Sequence, residues 1–244
     1  MPTNHHNSTS TVVSARSTAL ALLVATLLPT LLAVTCSVVL SGQRVVVIAY
    51  AIGKVLQLGF PVVWVLAVER KTIRFTRPQT NGLIAGGLYG MFVVALTMTV
   101  YYGLVSGSES LAEVPEVIRQ KLRAYGIAGW RDFYWLGLYY AIPHTLAEEY
   151  FWRWFVYGRL KEFLSVRNAI VISGFAFTLH HILLAYRYLG DAWGFIAAFA
   201  VGVAISGMVW AWLYEKTNAL YAAWLSHLIV DAGLIWMAYE FWRS

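Results

Sequence analysis

Hydrophobic and polar positions divide the chain into long apolar runs separated by short polar breaks. The runs are Thr18 to Leu40, Val45 to Val68, Gly82 to Val105, Phe133 to about Phe163, Asn168 to about Tyr186, Trp193 to Tyr214 and Ala219 to Trp242. Crossing a hydrocarbon core of about 30 Å takes about 20 helical residues, and each run is long enough. The pattern predicts an all-α fold, a polytopic transmembrane helical bundle with about seven membrane-spanning helices. The first run exceeds the roughly 7–15 residues of a signal-peptide core, and no good small-residue cleavage site follows it, so it reads as a membrane helix.

The polar breaks sort the rest. Residues 1–17 are rich in Ser, Thr and Asn and read as a disordered tail. Nothing there fixes His5 and His6 as ligands. Residues 106–131 form the longest internal polar stretch. In it Leu111, Val114, Val117, Ile118 and Leu122 recur at helical spacing, which predicts an amphipathic interfacial helix. The chain therefore divides into a tail (1–17), N-terminal transmembrane helices with an interfacial segment (18–131), and a C-terminal helical core (132–244). Gly86, Gly87 and Gly90 in the third run offer small-residue spacing for close helix packing.

Composition agrees with a membrane chain. Of 244 residues, 59% are hydrophobic and 12% charged, about half the charge of a soluble domain, with 11 Trp and 15 Tyr available for interfacial belts. The formal net charge of +6 needs no nucleic acid to explain it, because cytoplasmic loops of membrane proteins are enriched in Lys and Arg. The segment Glu69-Arg70-Lys71-Thr72-Ile73-Arg74-Phe75-Thr76-Arg77-Pro78 is the strongest such marker and is expected in the cytoplasm. Alternation from it puts the N-terminus inside and residues 106–131 outside, despite Arg119, Lys121, Arg123 and Arg131. The single Cys36 excludes an intrachain disulfide and a multi-cysteine metal site.

Candidate chemistry lies inside the last four runs: His144, Glu148, Glu149, Arg153, His180, His181, His227 and Asp231. An ionised group near the bilayer centre costs roughly 2.5–3.5 kcal/mol on insertion scales, so each needs a reason. Residues four apart share a helix face. Glu149 and Arg153 can pair, which leaves Glu148 pointing elsewhere. His227 and Asp231 form a second one-face pair. His144 is one turn before Glu148; it reads best as a polar residue filling a break at Pro143, although a His-x-x-x-Glu face could hold metal. Of His180 and His181, one is expected to be a bystander. Arg187, Asp191, Glu215 and Lys216 fall in expected loops. Lys54 in the second run is expected to snorkel or pair.

Depth supports convergence. Glu148 lies 16 residues before Leu164, and His181 lies 16 after Ser165. In an antiparallel hairpin both would sit roughly 24 Å from the turn. A buried Glu beside imidazoles can take a proton from water, and a second histidine can donate to the oxyanion of a tetrahedral intermediate.

Glu148-Glu149-x-x-x-Arg153, Phe177-x-x-x-His181 and His227-x-x-x-Asp231, in that order on successive apolar segments, resemble the three motifs of the CPBP family. That family covers CAAX prenyl proteases of the Rce1 type and bacteriocin-processing or immunity (Abi) proteins. The resemblance spans about residues 130–244. It implies an intramembrane glutamic endopeptidase in the cell membrane, cutting a membrane-anchored peptide or protein. It implies that Glu148 and His181 activate water and that His227 and Asp231 form the oxyanion hole. Glu149, Arg153 and His180 would support them, with no metal and no cofactor. Many members carry Asn where this chain has Asp231. Asp231 would then have to be protonated, or orient His227 by accepting its other ring proton. The competing readings are a non-catalytic immunity or scaffold protein, a zinc-dependent membrane protease and, least supported, a proton-coupled transporter.

Overall fold

The computed structural model describes residues 14–40, 45–124 and 126–243, and within these it contains eight helices and no strand. Helix α1 (Ala15–Val34) continues into a wider π-helical turn, Thr35–Val39. It starts ahead of the expected Thr18 because the Ser14 hydroxyl caps it, accepting from the Ser17 N–H at 3.1 Å. His5 and His6, with the rest of 1–13, lie outside the described residues. Helix α2 spans Val46–Val68 and α3 spans Thr80–Val100 with a π turn to Val105. Helix α4 is Val114–Ala124. Helix α5 is segmented from Trp130 to Leu160, and α6 (Val166–Leu189), α7 (Trp193–Thr217) and α8 (Leu220–Arg243) complete the bundle.

Among the described residues, six helices, α1, α2, α3, α6, α7 and α8, are long and apolar enough to cross a membrane. The seventh expected crossing is α5, whose apolar run is interrupted by the charges discussed below. The bilayer acts as solvent for much of this surface. Helices α2 and α3 bury little, and side chains such as Val55 (72% exposed) and Leu104 (76%) point away from the protein. In water so large an apolar surface would drive association; in lipid it is matched to its surroundings.

Small residues set the helix seams. Gly82, Gly86 and Gly90 let α3 press on α8; a methyl at Gly86 would collide with the Ala222 carbonyl oxygen. Gly87, expected on the same seam, lies at its edge: a methyl there would meet only the Leu225 side chain of α8, at 3.9 Å, since one step along a helix turns the residue off the closest contact. Gly174 of α6 meets Gly207 of α7 in the same manner, which draws Phe177 and Trp210 into the centre. Around them pack Phe151, Trp152, Phe155 and Tyr157 of α5, all fully buried.

Two ends of the bundle are tied down. At one end Glu69 accepts from Arg159 through both oxygens (3.1 and 2.9 Å) and from the Trp64 indole (3.0 Å), with Lys71 at 3.3 Å. Burial alone would raise the Glu69 carboxyl, but Arg159 and Lys71 win and hold it below the ordinary carboxylate value of 4.5. Glu215 lies in α7 rather than in the expected loop, and it takes Lys161 at 2.6 Å and the Tyr157 hydroxyl at 2.8 Å. At the other end α4 and the 3-10 turn before it (Glu109–Leu111) bury Leu111, Val114 and Ile118 against Leu189, Ala192, Phe195, Phe241 and Trp242. The Lys121 ammonium caps the Arg187 carbonyl and lies 3.7 Å from the Tyr188 ring centroid. Burial, helped by Arg187, lowers Lys121 to about 8. The amphipathic helix thus clamps the ends of α6 and α8, and Arg187 belongs to α6, not to a loop.

Candidate active site

The site starts from a break in α5. Pro143 has no N–H, so the regular ladder cannot continue through it, and Tyr140–His144 opens into a π-helical stretch. The Thr145 hydroxyl donates to the Ala141 carbonyl at 2.6 Å and so satisfies one acceptor at the break. One α-helical turn follows, Thr145–Glu149, and then a second π stretch, Tyr150–Tyr157. The two acids occupy the short regular turn between the two wide ones. Such π insertions recur at functional sites.

Glu149 is enclosed. It is fully buried, and its Oε2 lies 3.0 Å from the Arg153 Nε, one turn on. The Arg153 guanidinium is buried too, 4.8 Å from the Phe177 ring centroid and 5.4 Å from that of Trp210. Cation–π attraction thus supplements the ion pair. The other Glu149 oxygen lies 2.8 Å from the His227 Nδ1. A carboxylate beside an arginine accepts, so the His227 proton sits on Nδ1 and is donated to Glu149. Trp210 fixes the plane of that imidazole by stacking at 4.0 Å and 19°, and its own indole N–H donates to the Ser226 hydroxyl at 2.9 Å. The orienting of His227 through its second nitrogen, open for Asp231 in the sequence, is therefore done by Glu149. Asp231 instead faces Nε2, at 3.6 Å.

Glu148 has looser company. Its Oε1 lies 3.4 Å from the His144 Nε2 and 3.8 Å from the His180 Nε2, and its Oε2 lies 3.9 Å from the His227 Nε2. His181 completes the group: Glu148, His180 and His181 each bring a ligand-type atom within 4.8 Å of the others. The His181 Nδ1 donates to the Phe177 carbonyl at 2.9 Å, which leaves Nε2 with a free lone pair. His180 and His181 both approach Glu148, although adjacent residues on a helix point about 100° apart. Their rings splay with centroids 4.1 Å apart, and Trp152 lies parallel to the His180 ring. Helices α5, α6 and α8 therefore bring Glu148, Glu149, Arg153, His180, His181, His227 and Asp231 together.

Sequence reasoning set His144 aside, yet its four-residue spacing from Glu148 was the available signal. Trp152 and Trp210, which hold the imidazoles flat, come from other helices and have no spacing signal. Lys54 on α2 lies 5.7 Å from the Tyr50 ring centroid, and Tyr150 pins α2 to α5 by donating to the Leu58 carbonyl at 3.2 Å. Pro143, Leu146, Ala147 and Tyr150 line a largely apolar cavity of about 400 Å³, closed in part by Phe75 and Thr76 of the 69–79 loop.

Residues 130–233 match the family model described as type II CAAX prenyl endopeptidase Rce1-like. That stretch, less than half of the chain, is similar to the Rce1-like family, and it contains every residue of the cluster. Comparison with curated proteins gives no match, nor does comparison with solved structures.

Proposed function

We propose that this chain is an intramembrane endopeptidase of glutamate type. The observation that carries the reading is the spacing around Glu148: a buried carboxylate ringed by three imidazole nitrogens at 3.4–3.9 Å, too far for tight pairing, so that its oxygens stay available to a water. Glu148 takes a proton from that water, with the His181 Nε2 lone pair holding the water's other hydrogen. The hydroxide oxygen attacks the carbonyl carbon of the scissile peptide, and the carbonyl oxygen becomes an oxyanion. His227 donates to it from Nε2. Because Nδ1–H is given to Glu149, this donation requires the ring to carry both protons, and Glu149, Asp231 and Glu148 surround it with negative charge. Collapse of the intermediate breaks the C–N bond, and Glu148 passes its proton to the leaving amine. His144 and His180 position Glu148; Asp231 steadies the protonated ring; Arg153 and Glu149 hold the frame.

The substrate class follows from the place of the site: a peptide or protein anchored in the membrane. The family's name points to a prenylated C-terminus as one form of that anchor. The test compares cells carrying the wild type with cells carrying Glu148→Ala, His181→Ala or His227→Ala at equal protein levels. A membrane peptide should accumulate uncut in all three variants. Normal processing in all three contradicts the reading and favours a scaffold or immunity role.

A second reading has its own observation. Glu148, His180 and His181 form a carboxylate and two-imidazole donor set of the kind that holds a divalent zinc ion. Bound there, the metal would supply Lewis-acid activation. Loss of cleavage on chelation, restored by stoichiometric zinc, would select this reading; full activity of a metal-free preparation would remove it.

A further inference from the structure

The loop between α2 and α3 does more than mark a cytoplasmic side. Its start is tied to α2 and its side chains reach α5: the Lys71 N–H donates to the Val65 carbonyl at the end of α2, Ile73 packs on the aromatic core, and Phe75 lies 5.8 Å from Trp154 of α5, which stacks on Tyr150. Phe75 and Thr76 thereby become walls of the 400 Å³ cavity, facing Pro143, Ala147 and Tyr150 of α5 and Leu220 of α8. Arg74 and Arg77 flank these two wall residues in the chain. Both are exposed, and among the described residues neither makes an ion pair or hydrogen bond. In contrast, Lys71 and Arg159 nearby are paired with Glu69. An apolar slot whose wall residues Phe75 and Thr76 have an exposed arginine on either side in the chain, in the loop joining two candidate membrane spans, combines two recognition chemistries. The slot suits an acyl chain. The planar donors of arginine suit a phosphate, which they can bind through paired hydrogen bonds.

We propose that this slot is a binding site for an anionic phospholipid of the cytoplasmic leaflet, with its phosphate on Arg74 and Arg77 and an acyl chain between Phe75 and Tyr150. Anionic lipids are concentrated in that leaflet and attract juxtamembrane basic residues. The bound chain would lie against the stretch of α5 that carries Glu148, bracing the loop and α5 together. The inference rests on the loop and the cavity and does not depend on the proposed hydrolysis.

The test uses the full chain in nanodiscs of phosphatidylcholine, with or without phosphatidylglycerol. Its readouts are the thermal unfolding midpoint and the lipid that stays bound through detergent exchange, identified by mass spectrometry. Phosphatidylglycerol should raise the midpoint by several degrees and be retained in preference to phosphatidylcholine. The double variant Arg74→Gln, Arg77→Gln should lose most of both effects. Thr76→Trp, which fills the slot and leaves the arginines, should lose retention. Arg167→Gln with Lys216→Gln, exposed charges that do not flank the slot, should change neither. Equal behaviour of the two lipids overturns the site, as does a wild-type response from the Arg74/Arg77 variant. An equal loss from the Arg167/Lys216 variant would reduce the effect to general charge attraction. Inorganic phosphate reproducing the shift in phosphatidylcholine discs would assign the arginines to free phosphate instead.

Discussion

Two buried carboxylates in this molecule behave in opposite ways. Glu69 sits at the end of α2 and is saturated: two oxygens, two contacts to Arg159 at 2.9–3.1 Å, an indole N–H and a lysine. Glu148 is as well buried, but nothing approaches it closer than 3.4 Å among its charged neighbours, and those are imidazoles. A closed ion pair has satisfied its chemistry within the fold. An open cluster holds functional groups in place without using them up. Burial of charge alone does not identify a site; the distances do. Glu149 stands between the two cases, closed on Arg153 and on His227 at once.

That contrast can be broken most severely at Glu149. Glu149→Gln leaves the buried Arg153 without its counter-ion and keeps a single acceptor oxygen where Arg153 and His227 each had one. Breaking one side of a buried pair costs about 3–5 kcal/mol, so the thermal midpoint should fall sharply, with loss of any His227-dependent cleavage in whatever remains folded. Thermal unfolding in detergent, read beside cleavage per folded molecule, checks both.

Arg159→Gln should separate stability from chemistry. It leaves Glu69 under-satisfied at a cost of about 1–3 kcal/mol, while turnover per folded molecule stays at the wild-type level. The pH dependence has a definite sign. The folded Glu69 carboxyl lies below its ordinary value of 4.5, so its stabilisation is complete above that value and is lost as pH falls through the lower, folded value. Wild type should therefore lose stability in acid more steeply than Arg159→Gln, and the two unfolding curves should converge there.

The smallest effect is expected at Asp231. It is partly exposed and faces only the Nε2 of His227, at 3.6 Å. Asp231→Asn keeps the shape and adds an amide donor, so cleavage should stay within about tenfold of wild type, or about 1.4 kcal/mol of barrier. A loss as large as that of His227→Ala would mean that Asp231 carries charge essential to the step.

Much of this was legible in the chain. Apolar run lengths specify the crossings, and four-residue spacing specifies the Glu149–Arg153 and His227–Asp231 faces. Counting outward from the turn near Leu164 put Glu148 and His181 at one depth. What was not legible depends on contacts between segments far apart. Arg159 finds Glu69 across 90 residues, and His227 finds Glu149 across 78. Neither pairing leaves a periodic trace. The joint approach of His180 and His181 to Glu148 also escaped, because helical geometry separates adjacent residues by about 100° and says nothing of how long side chains bend back. The docking of α4 across the ends of α6 and α8 escaped because an amphipathic pattern reveals a buried face without its partner.

The most direct test is the rate of peptide-bond hydrolysis by Glu148→Gln in reconstituted membranes, normalised to folded protein. The substrate is the membrane peptide that accumulates uncut in the cellular comparison. The account predicts a loss of at least about 10²-fold, as expected on removing a general base, with an unchanged unfolding midpoint. A folded Glu148→Gln protein that cleaves at the wild-type rate would contradict it.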